Sequence, residues 1–124
     1  VTRLFLIEDS CDPFSPEAVR ASAGSIFAMN IAALGRSEFI GIVKDWQGDV
    51  VGTHHSASER FRQPHRRPVL LLMGSESHGL PDDLTAACTK LVRIPMAPGV
   101  ESLNLATAAA LMLYELQLPL MSGR

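Results

Sequence analysis

The chain has 124 residues, 47% hydrophobic and 19% charged, the composition of one globular domain with a real core. Eleven basic side chains against thirteen acidic ones leave a formal charge of −2. No global positive field therefore points to a nucleic-acid partner, and any such surface must be local. Cys11 and Cys88 lie far apart and lack the paired spacing of a zinc site or redox motif. They are expected to be two reduced thiols packed as small hydrophobes. No basic region followed by an apolar core and a cleavage site marks export. The apolar helix that closes the chain falls short of the roughly 20 residues a membrane span needs. A soluble, cytoplasmic protein is expected.

The elements alternate. "RLFLIED" is a continuous apolar run ending in acids and reads as a buried strand. "DPFSP" breaks it, and Ser15 then caps a helix with Pro16 at its first position, running to about Gly24. "MNIAAL" is a weaker strand closed by Gly35. Ser37 starts a second helix, "SEFIGIVKDW", whose Phe39, Ile40, Val43 and Trp46 recur at helical spacing. "DVVGTHH" is a short strand, followed by a polar, basic loop from Ser56 to Pro68. "PVLLLMG" is apolar on both faces, as a central parallel strand should be. "LPDDLTAACTK" gives a short helix with Pro81 near its start, "LVRIPM" another strand, and a helix follows from Ser102. Strand and helix alternate throughout, which predicts an α/β fold in one domain, residues 1–124: a parallel sheet with helices on both faces.

Ligands of open parallel sheets bind outside the carboxyl ends of the strands. Three loops leave such ends: "THHSA", "GSESHGLP" and "PMAPGVESLN". Each carries small or polar residues directly after an apolar strand, so together they predict one rim. Ser102 and Asn104 stand where an otherwise apolar helix begins, facing that rim, where free backbone N–H groups and short polar side chains can hold a ligand. The plainer reading of Ser102 is a helix N-cap. Gly74 and Gly79 have the glycine spacing of a phosphate-binding loop, but Leu80-Pro81 replaces the required Lys-Ser/Thr and Glu76 would repel phosphate. A hydrolase elbow fails too, with its serine one place off. The loop instead suits a ligand that is not anionic there, approached closely by glycine backbone; turn glycines are the alternative.

His54, His55, His65 and His78 show no metal-ligand spacing, and no metal is expected. "ERFRQPHRR", residues 59 to 67, concentrates four arginines and a histidine in an otherwise acidic chain. A solvated loop is the ordinary reading and a local phosphate contact the other.

Three segments together resemble one family. "LLLMGSESHGL" and "VRIPMAPGVESLNLATAAALMLYEL" look like the second and third signature motifs of the SpoU/TrmH methyltransferases, in the SPOUT class. "DPFSPEAVRASAGSIF" resembles the segment that precedes them in the ribosomal-RNA branch. The resemblance implies a homodimeric enzyme that carries a methyl group from S-adenosylmethionine to a ribose 2′-hydroxyl of tRNA or rRNA. It also implies a deep trefoil knot through which the C-terminal helix is threaded, which general chain-path rules would never suggest. The small Ala106, Ala108, Ala109 and Ala110 suit such a knot.

By motif position the cofactor would lie between the loops after Thr53, Gly74 and Met96, with Gly74, Ile94 and Leu103 holding it through backbone groups. Ser102 and Asn104 would face the methyl donor, and the Glu76 carboxylate would complement a cationic cofactor. Arg20, where the ribosomal branch carries a basic residue, would bind RNA or position the hydroxyl, though a plain surface arginine reads equally well. The family's first motif, an Asn and then an Arg, belongs on elements preceding "RLFLIED", and these residues begin at Val1 without it. The resemblance therefore implies either a domain trimmed at its N-terminus or an incomplete catalyst. The competing function is a non-catalytic cofactor- or RNA-binding module. A nucleotide-phosphate binder has the failed loop motif against it.

Overall fold

A computed structural model describes residues 1–121, with side chains through residue 118. The chain divides into two compact units, Val1–Ile42 and Val43–Arg124. The strands form two sheets where the sequence suggests one, and every strand pair in both is parallel.

In the first unit β1 (Leu4–Ile7) pairs with β2 (Ile31–Leu34), Leu4 opposite Ile31 and Ile7 opposite Leu34. The strand expected to be buried is only half so: Leu4 is 39% exposed. With one neighbour, its apolar run lacks the flanking strands that bury a central strand. Between them runs α1 (Pro16–Ala21), capped as expected by the Ser15 hydroxyl, which accepts the Ala18 N–H at 3.2 Å, with Pro16 in the first turn. The helix stops short of Gly24. Ala23 and Gly24 take positive φ, 49° and 85°, and a 3-10 turn follows over Ser25–Ala28. Phe5 on β1 meets the buried Phe39 with ring centroids 5.8 Å apart.

Phe39 lies on α2 (Arg36–Lys44), where Gly35 accepts the Phe39 N–H and makes the first turn one residue earlier than Ser37. Trp46 is not on the helical face expected for it. The helix has ended, and the indole N–H donates to the Pro68 carbonyl at 2.8 Å.

The second unit is built on β3 (Val50–Thr53), β4 (Glu59–Arg60), β5 (Leu70–Leu72) and β6 (Lys90–Arg93), in spatial order β4-β6-β3-β5. β5, the "LLLM" strand, sits at an edge of this sheet rather than at its centre. Its two-faced apolar pattern reports burial, with Leu70 and Leu72 buried on one face and Leu71 half-buried on the other, and says nothing of strand order. β4 falls inside the segment expected to be loop, and its charged residues gave no strand signal. The core centres on the inner strands: Val51, Val92 and Met112 are each 0% exposed, packed by Phe61, Val69, Leu71, Met73 and Ile94. Each such side chain contributes roughly 1.5–3 kcal/mol by leaving water. Met112 comes from α4 (Leu105–Met121), which follows β6; α3 (Asp82–Ala87) precedes it.

At the amino end of β3, buried Asp49 ties the chain together. Its Oδ2 accepts the Arg66 N–H at 2.8 Å and lies 3.2 Å from Lys90 Nζ, while the Thr89 hydroxyl reaches Oδ1 at 3.4 Å. Burial works to raise this carboxyl, yet the Arg66 N–H, Lys90 and Thr89 together hold it below the usual carboxylate range. The carboxyl ends of the strands are left for other work. No helix among the described residues is long and apolar enough to cross a membrane.

Candidate functional site

Because β3, β5 and β6 run parallel, their following loops leave the same edge of the sheet. All three line one cavity of about 690 Å³, within the second unit. Thr53 ends β3 and His54 and His55 begin the first loop, Met73 to Leu80 come from the second, and Ile94 and Met96 to Leu103 from the third, with Leu105 and Ala108 of α4 closing it. The rim expected from the sequence is therefore formed. Of the nine residues singled out, Thr53, Gly74, Glu76, Ile94, Met96, Ser102 and Leu103 line the cavity. Asn104 is joined to it through Glu76. Arg20 lies in the first unit, exposed on the last turn of α1.

The loop after β5 folds back on itself. Ser75 and Gly79 form an isolated antiparallel bridge, with the Gly79 N–H on the Ser75 carbonyl at 2.9 Å and the His78 N–H on the Ser75 hydroxyl at 3.2 Å. This fixes the work of the two glycines. A Cβ on Gly74 would lie 2.0 Å from the Gly79 carbonyl carbon and 2.1 Å from the Leu80 nitrogen, so its bareness admits the loop's own backbone rather than a ligand. Gly79 has φ +66° and nothing within 4 Å of the corresponding point. There the glycine serves the left-handed turn and leaves the cavity side open.

Asn104, not Ser102, caps α4. The helix begins at Leu105, three residues beyond Ser102, and Asn104 Oδ1 accepts the Ala106 and Thr107 N–H groups at 3.0 and 3.3 Å. Asn104 Nδ2 donates to Glu76 Oε1 at 3.1 Å, and the same oxygen accepts the Leu105 N–H at 3.0 Å. A carboxylate thus sits at the positive end of α4 and bolts the second loop to the third. Ser102 is exposed on the cavity wall, and the cap reading of it does not hold.

The basic run is solvated, with all four arginines exposed, but it is tethered to the rest of its unit. Arg62 makes a bidentate pair with Glu115 of α4, its Nη2 2.7 Å from Oε1, and Arg67 donates to the Leu116 carbonyl. Lys90 donates to the Pro64 carbonyl at 2.8 Å. His65 has its side chain only 4% exposed, with Nδ1 3.8 Å from Asp49 Oδ2. Burial, with the Lys90 charge, holds its pKa below the ordinary imidazole value against the opposing pull of Asp49. Both cysteines are free. Cys88 is half-buried, its thiol pushed up to about 11 by burial. Cys11 is exposed rather than packed.

The SpoU rRNA Methylase family profile matches residues 1–114. The chain belongs to the SpoU family. It is 34% identical over 131 aligned residues to a 23S rRNA (uridine(2479)-2′-O)-methyltransferase of Streptomyces viridochromogenes, covering 98% of this chain and 45% of that protein. The crystal structure of an AdoMet-bound rRNA methyltransferase from Sinorhizobium meliloti superposes with a TM-score of 0.88 at 41% identity, over 94% of this chain and 46% of that one. The SpoU methyltransferase AviRb from Streptomyces viridochromogenes, solved with AdoMet, gives 0.86 at 32% identity, over 98% and 49%. The chain therefore spans about half the length of these relatives, and the likeness to this SpoU member includes both of its units.

Proposed function

We propose that the protein carrying this chain is a cytoplasmic, homodimeric methyltransferase that uses S-adenosylmethionine to methylate a ribose 2′-hydroxyl of ribosomal or transfer RNA. One observation carries the reading: three strand-end loops and the capped start of α4 converge on a single cavity in a SpoU-family chain. The names of its relatives supply the chemistry.

The residues present fit the cofactor. The cavity volume falls within the roughly 300–1,000 Å³ of small-molecule sites. Its walls combine apolar Leu80, Val92, Ile94 and Leu103, suited to an adenosine, with the polar Thr53, Glu76 and Ser102. Thr53, Gly74, Ile94, Met96 and Leu103 would hold the group, and Glu76 would complement its positive charge. When bound, S-adenosylmethionine supplies a methyl group on a sulfonium, ready for a nucleophile.

A ribose hydroxyl is a weak nucleophile near neutral pH, so the protein must hold it in line and relieve it of its proton. Asn104 is fixed at both ends of its amide, by α4 and by Glu76, and so sets the geometry of the corner. Ser102 presents a hydroxyl on the cavity wall for the ribose. Arg20 takes the adjacent phosphate or the developing alkoxide, contributed across the dimer. The dimer reading draws on exposed apolar side chains: Phe14 and Phe27 in the first unit, Leu111 and Tyr114 along α4 in the second. Leu120 and Met121, apolar residues that also suggest an interface in the sequence, have side chains outside the described residues. The knot belongs to the same reading, supported by the bonds from Glu76 that tie the start of α4 to a loop 29 residues earlier. Calorimetry with S-adenosylhomocysteine tests the cofactor: saturable heat is expected, and none at millimolar ligand on a folded sample rejects it.

A further inference from the structure

Two histidines dismissed for want of a metal pattern sit together at this cavity. The rings of His54 and His55 stack, centroids 4.7 Å apart and planes inclined by 22°. Both line the cavity, immediately after β3. His54 is anchored. Its backbone N–H donates to the Val92 carbonyl at 3.0 Å, continuing the β3–β6 ladder, and its Nδ1 accepts from the Ser56 N–H at 3.2 Å with the Ser56 hydroxyl at 3.0 Å. An Nδ1 that accepts leaves the proton of the neutral ring on Nε2. His54 is half-buried and His55 exposed, so the inner ring backs the outer one.

We propose that His55, supported by His54, is a stacking shelf for the nucleobase of the RNA nucleotide presented to this cavity; the assignment rests on the RNA-methylation reading above. A base taken out of its helix needs a flat aromatic partner, and histidine is among the side chains that serve. The two stacked rings present a flat π surface, the shape a base face packs against. His55 is exposed, whereas the apolar Ile94 and Leu103, which suit the cofactor's adenosine, are half-buried.

The test uses the whole protein carrying this chain, with a fluorescein-labelled, mixed-sequence single-stranded RNA and S-adenosylhomocysteine as separate probes. His55→Ala is expected to weaken RNA binding roughly 5- to 100-fold, the range for losing one stacked base, and to leave the S-adenosylhomocysteine affinity unchanged. His55→Phe, which keeps a flat ring without nitrogen, is expected to restore RNA binding. Wild-type affinity for RNA in His55→Ala overturns the proposal. So does failure of His55→Phe to rescue, or a loss confined to S-adenosylhomocysteine, which would give the shelf to the cofactor's adenine. A wild-type protein that binds S-adenosylhomocysteine but no RNA overturns it as well. Wild-type protein that binds RNA but no S-adenosylhomocysteine rejects the cofactor reading alone, and the His55 comparison still decides the shelf.

Discussion

Glu76 Oε1 holds Asn104 and the first N–H of α4 together: the Asn104 amide donates to it at 3.1 Å and the Leu105 N–H at 3.0 Å. One carboxylate oxygen thereby joins the loop after β5 to the loop after β6 at the edge of the cavity. Glu76→Ala and Asn104→Ala are each expected to lower methyl transfer at least ~10-fold with the fold retained, as lost positioning contacts do. Asn104→Ala should also cost about 0.5–2 kcal/mol of stability as a lost cap. Asn104→Asp separates the two roles. It keeps the capping oxygen but sets a second carboxylate against Glu76, so stability should suffer less than transfer. Single-turnover rates beside urea melts check this.

The glycines of the same loop should fail differently. Gly74→Ala forces a Cβ onto the Gly79–Leu80 backbone, and S-adenosylhomocysteine binding should be lost with the loop. Gly79→Ala meets open space but keeps a positive φ, which costs about 1–2 kcal/mol for a residue with a side chain. Calorimetry on both variants distinguishes a collapsed site from a strained one.

Acid should destabilise the fold in two stages. His65 is held below its ordinary value of 6.5, so the unfolded chain takes up protons first and stability falls once the pH drops beneath that value. Asp49 is held below 3.8; its contribution is intact above that value and is lost as the pH falls through the lower folded-state pKa. His65→Gln should flatten the first stage and leave the second. Denaturant midpoints measured across the acid range check the assignment, and a variant that still shows the first decline contradicts it.

Leu111 and Tyr114 are 41% and 60% exposed on α4. A dimer mass in light scattering at micromolar concentration is expected, shifting toward monomer in Tyr114→Glu. A monomeric wild type contradicts the dimer.

Much of this was legible in the residues. "GSESHGLP" and "PMAPGVESLN" follow apolar strands, and parallel strands bring such loops to one edge, so the rim could be read without coordinates. Ser15 before Pro16 marked α1 for the same local reason. What escaped was long-range. β4 is Glu59 and Arg60, charged residues made a strand only by pairing with Val92 and Arg93. Asn104 and Ser102 compete for one cap by local chemistry, and Glu76, far away in the chain, accompanies the outcome. The run from 59 to 67 read as a solvated loop or a local phosphate contact, because nothing local reveals Glu115 beside Arg62 or the Leu116 carbonyl beside Arg67. His54 and His55 were weighed only as metal ligands and set aside, and stacking has no spacing rule to betray it.

The central claim is methyl transfer to a ribose hydroxyl, and the position of the transferred methyl tests it most directly. The whole protein is incubated with ribosomal RNA and S-adenosylmethionine labelled in the methyl group, and the RNA is then hydrolysed in alkali. A 2′-O-methyl group removes the hydroxyl that attacks the neighbouring phosphodiester, so the account predicts label in an alkali-resistant dinucleotide, strongly reduced in Asn104→Ala. Label released in mononucleotides would place the methyl on a base. No incorporation by protein that binds both probes would make the cavity that of a binding module, and either result contradicts the account.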